Sequence, residues 1–102
     1  MEIQALQAEV RRLRQSQGWP ESSLEQKVVY LLSELGELAD EIRTFSAGSQ
    51  AGPEVSVDDV KERLGMEIYD VVWHLCDIAN LAGIDLQRCF VAKTELNRRR
   101  RW

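Results

Sequence analysis

One histidine and two cysteines in 102 residues are too few soft ligands for zinc held in the usual cysteine–histidine manner. Both cysteines, Cys76 and Cys89, fall inside helical periodicity, which reads as reduced core thiols of a cytoplasmic protein and not as a disulfide framework. Positive charge is also scarce. Thirteen Lys and Arg stand against 17 Asp and Glu, for a formal net charge of −4, and the only basic run is RRRR at 98–101. That balance argues against nucleic acid as a main partner. No apolar run approaches a membrane span, and the opening MEIQALQAEV is charged and amphipathic where a leader would be apolar. Strand-like alternation and internal repeats are missing as well, which leaves helices. A chain this short is expected to be one domain, 1–102, with a modest core.

Helical spacing is what the sequence does contain. Ile3, Leu6, Val10 and Leu13 form a narrow seam that predicts a helix over 2–16, closed by GWP at 18–20. Ser22 and Ser23, with Glu25 and Gln26 three residues on, form a capping-box pattern, and a second helix is predicted over 23–46. SAGSQAGPEVS at 46–56 is a loop by composition. Ser56 with Asp59 opens a third helix, over 57–82, that is apolar nearly all round and ends at Gly83. Asp85 caps a short fourth helix carrying Leu86, Phe90, Val91 and Leu96. The expected fold is an all-α antiparallel bundle of about four helices. One such chain cannot surround its own third helix, so an oligomer with a shared core is expected.

Two acidic steps interrupt this pattern. LLSELGELADEI at 31–42 places Glu34 and Glu37 one turn apart, followed by Glu41, and MEIYDVVWHLC at 66–76 does the same with Glu67 and Asp70. Antiparallel packing of helices two and three brings the pairs together, where they repel and lose hydration. Lys27 and Arg63 are the few cations nearby. Solvated acidic faces are one reading, and the better one for the second helix alone. Glu67 and Asp70, however, sit among Ile68, Tyr69, Val71, Val72 and Trp73, where the water-facing side is narrow. The pairs together favour a metal site, and oxygen-only ligands point to Mg²⁺, with Mn²⁺ as the second choice. Di-iron chemistry fits poorly, because the bundle sites that support it need Glu-x-x-His.

ELGE at 34–37 continuing as LADEI, and EIYDVVWHL at 67–75, resemble the E-x-x-E and E-x-x-D motifs of the MazG-like nucleoside triphosphate pyrophosphohydrolases, within the all-α NTP pyrophosphatase superfamily. Trp19 ahead of the first motif and KTELNRRR at 93–100 extend the resemblance over roughly 19–100. The interval 38–66 is long for that family, and Tyr69 stands where many members carry a small residue. The resemblance implies a Mg²⁺-dependent split of a (d)NTP into (d)NMP and pyrophosphate, in the service of nucleotide-pool sanitation. It implies Glu34, Glu37, Glu67 and Asp70 as metal ligands, with Glu37 and Glu34 catalytic and Glu37, or else Glu41, activating water. Lys93, Asn97 and Arg100 are expected to meet phosphate or sugar, His74 to line a base pocket or bond a phosphate, and Trp19 to stack on a base. Asn80 is a further candidate for a base edge. The expected partners are the nucleotide and a second or further copy of the chain, as homodimer or homotetramer. A phosphoribosyl-ATP pyrophosphohydrolase and a non-catalytic helical dimerisation adaptor are the alternatives.

Overall fold

The structure, a computed structural model, describes residues 2–47 and 56–100. Most of the loop expected at 46–56, and Arg101 of the basic run, lie outside the described residues. The rest is all-α: α1 (Ile3–Gln17), α2 (Leu24–Ala47), α3 (Val57–Leu81) and α4 (Leu86–Arg99), with no strand among the described residues. Local chemistry sets the boundaries. α1 ends where Gly18 turns left-handed at φ 63°, its N–H bonded to the Gln15 carbonyl. α2 starts directly after Ser23. Ser56 Oγ accepts the Asp59 N–H at 3.0 Å to open α3, and Asp85 Oδ1 accepts the Arg88 N–H at 3.1 Å to open α4. Between them Gly83, at φ 69°, closes α3, and the Ile84 N–H reaches back to the Ala79 carbonyl at 2.8 Å.

The chain divides into two compact units, Met1–Leu24 with Cys76–Trp102, and Glu25–Leu75. In the first, Val10, Cys76 and Ala79 are buried, and burial pushes the Cys76 thiol above its ordinary range. Cys89, expected in the core, is exposed. The buried Gln7 ties the unit together. Its amide donates to Asn80 Oδ1 at 3.1 Å and to the Ile84 carbonyl at 2.9 Å, and its oxygen accepts the Leu86 N–H at 2.8 Å. These bonds use the backbone groups freed at the α3–α4 turn, where no helix can satisfy them.

In the second unit α2 and the first part of α3 run antiparallel. Lys27 meets His74, and fourteen residues further along α2 Glu41 meets Arg63, so numbers rise on one helix as they fall on the other. Val60 is the one buried apolar side chain there among the described residues. The apolar girth of α3 predicts burial on most sides, yet Ile68 is 48% exposed and Tyr69 56%, facing out alongside Val29 and Leu32 of α2. No helix among the described residues is long and apolar enough to cross a membrane.

Candidate metal centre

The antiparallel register carries the two acidic steps to the same level. Glu34, Glu37, Glu67 and Asp70 each offer a carboxylate oxygen, and these oxygens lie within 4.8 Å of one another. Three of the residues are half-buried and Glu37 is exposed. Spacing of three on each helix puts each pair on one face, and packing then closes the square.

Such a square is unfavourable without a cation. Partial burial raises the Glu34 and Glu67 carboxyls above their ordinary value of 4.5, and the charges of Glu37 and Asp70 raise both further. Glu34 Oε2 and Glu67 Oε2 are buried and find no hydrogen-bond partner among the described residues. Orphaned carboxylate oxygens converging from two helices, with no nitrogen or sulfur donor, fit a hard divalent cation such as Mg²⁺ or Mn²⁺.

The raised values carry a pH dependence. Below the ordinary value both glutamates are protonated in folded and unfolded chains alike, and their contribution to stability is fully present. It is lost as pH climbs from 4.5 through the raised folded values. Metal-free protein should therefore lose stability from these groups as pH rises, while Mg²⁺, which needs them ionised, should stabilise more strongly at each step. Melting curves with and without Mg²⁺ across this window check both trends. A gap between the curves that fails to widen with pH would contradict the cluster.

Around the square stand two further polar contacts. Arg63 Nε lies 3.5 Å from Glu41 Oε2, and His74 Nε2 lies 3.8 Å from Glu34 Oε1. His74 is thus beside the carboxylates, on the α3 edge that its spacing from Asp70 predicts. Lys27, half a helix away from Glu37 in sequence, is buried behind His74, which no local pattern signals.

The remaining expected site residues belong to the first unit. Trp19 lines a cleft of about 310 Å³ with Arg11, Arg14, Glu21, Asp77 and Asn80. Lys93, Asn97 and Arg100 are exposed on α4 and its C-cap. Asn80 is engaged within the protein: its Oδ1 accepts from Gln7 and Arg11, both at 3.1 Å, and its Nδ2 donates to the Gln7 carbonyl at 3.0 Å.

No curated protein and no solved structure matched the chain in comparison. One family model did, that of the MazG nucleotide pyrophosphohydrolase domain, over residues 22–101. That span takes in both acidic steps, the helices that carry them and α4. The chain belongs to the MazG nucleotide pyrophosphohydrolase family.

Proposed function

We propose that this protein is a Mg²⁺-dependent pyrophosphohydrolase of nucleoside triphosphates, releasing a monophosphate and pyrophosphate and so clearing unwanted nucleotides from the pool. The observation that carries the reading is the square of four carboxylates with oxygens within 4.8 Å. Glu34, Glu37, Glu67 and Asp70 would hold the cation. When bound there it would neutralise the triphosphate and polarise the scissile phosphorus.

The side chains then have distinct tasks. Glu37 is the exposed member of the square and stands close to the other three carboxylates, which suits it to orient a water and take its proton. Glu34 and Glu67 hold their places from partial burial. Lys93, Asn97 and Arg100 offer two cationic groups and an amide for phosphate and sugar, and Trp19 an aromatic face for the base. Self-association, as a homodimer or homotetramer, follows from the apolar side chains left on the outside of α2 and α3, which only another surface can cover.

Purified protein with Mg²⁺ and a panel of canonical and modified triphosphates, read by pyrophosphate release, tests the proposal. Turnover that disappears with a chelator and returns with Mg²⁺ is the expected result. A panel with no turnover, from a protein that binds Mg²⁺ no better than its Glu37→Gln variant, would remove the enzyme reading and leave a helical adaptor. Turnover restricted to a phosphoribosylated ATP would move the substrate assignment within the same chemistry.

A further inference from the structure

Lys27 is 1% exposed, on a helix whose other lysine-sized side chains reach water. Burying an ammonium is costly unless it makes strong contacts. Its Nζ lies 2.6 Å from His74 Nδ1, and over the rings of Trp73 and Tyr30, at 5.1 Å and 5.7 Å from their centroids. The aromatic faces favour a cation. The short contact has a stricter consequence. An ammonium has three donors and no acceptor, so Nδ1 must offer its lone pair and the ring proton must sit on Nε2.

Nε2 is the atom that faces Glu34 Oε1, at 3.8 Å. Two aromatic rings stand around the imidazole. Trp73 lies edge-on to it, 5.3 Å away at 82°, and Tyr30 is on another side at 6.4 Å. A flipped ring would set a carbon against the ammonium and lose the N–H directed at Glu34. We propose that Lys27 is a positioning residue of the acidic centre: it holds His74 as the Nε2–H tautomer, aimed at Glu34, and thereby fixes that carboxylate for the cation. The role rests on the metal reading above.

The chain's one histidine makes the test direct, because every histidine resonance belongs to His74. Long-range proton–nitrogen correlation spectra of labelled, metal-free protein, at a pH above the ordinary imidazole range, read the tautomer without any variant. The Nε2–H pattern is expected in the wild type, and a mixture of tautomers in Lys27→Met. Calorimetric titration with Mg²⁺ should show binding weakened about tenfold in Lys27→Met. Lys27→Met should add nothing further in a His74→Asn background, since both changes cut the same link. An Nδ1–H pattern in the wild type, or losses that simply add in the double variant, would overturn the assignment. A wild type that shows the Nε2–H pattern yet binds no Mg²⁺ would overturn the metal centre, and this role with it, while showing that the Lys27–His74 link itself is as described.

Discussion

Asp70→Asn is expected to cut Mg²⁺-dependent pyrophosphate release on the order of 10²–10³-fold while leaving the metal-free protein at least as stable as the wild type. The substitution keeps the shape of the side chain and removes one negative charge from a square whose oxygens lie within 4.8 Å. A cation bound there would be attracted by that charge. With the cation absent, it only adds to the repulsion that already raises Glu34 and Glu67. One change therefore moves activity and metal-free stability in opposite directions. A residue that merely supported the helix would move both downward. Steady-state kinetics across a range of Mg²⁺ concentrations, beside melting curves in chelator, separate the two. Retained activity in Asp70→Asn, or a melting temperature that drops with it, would count against the metal centre.

The helices and the square were legible because both rest on short-range rules. Ser56, Asp85, Gly18 and Gly83 act through groups three residues away, so a linear reading finds them; α1 to α3 begin and end within a residue of the predicted bounds, and α4 begins directly after its predicted cap. The acidic steps needed one longer inference, the antiparallel meeting of α2 and α3, and the loop between them makes that pairing the natural one. What stayed hidden depends on partners distant in sequence. Lys27 looks like any surface lysine until Tyr30, Trp73 and His74 are placed around it. Asn80 looks available for a base until Gln7 and Arg11, about seventy positions away, are seen to occupy its amide. The apolar girth of α3 is plain in the sequence, but the expected burial on most sides is not met within this chain, where Ile68 and Tyr69 stand exposed.

The same blind spot covers Arg14 and Asp77, which carry the largest expected effect on stability. Arg14 approaches Asp77 with two nitrogens, Nε to Oδ1 at 2.8 Å and a terminal nitrogen to Oδ2 at 2.5 Å, and its other terminal nitrogen donates to the Pro20 carbonyl at 2.9 Å. Asp77 is 1% exposed. The hydrogen bond to Asp77 holds the Arg14 guanidinium still more firmly charged than usual. Arg14→Leu takes the forked donor from a buried carboxylate that water cannot reach, and should cost ~3–5 kcal/mol. Against the ~5–15 kcal/mol that holds a typical domain folded, such a loss leaves little margin in a chain of this size. The pair need not be a net source of stability for this to hold, because the forked donor is taken from a carboxylate that is already buried. Arg14→Leu combined with Asp77→Leu should therefore recover part of the loss. Urea unfolding of the two single variants and the double variant measures the difference. A double variant no more stable than Arg14→Leu would mean that the pair's geometry, and not its charge balance, keeps α1 against the end of α3.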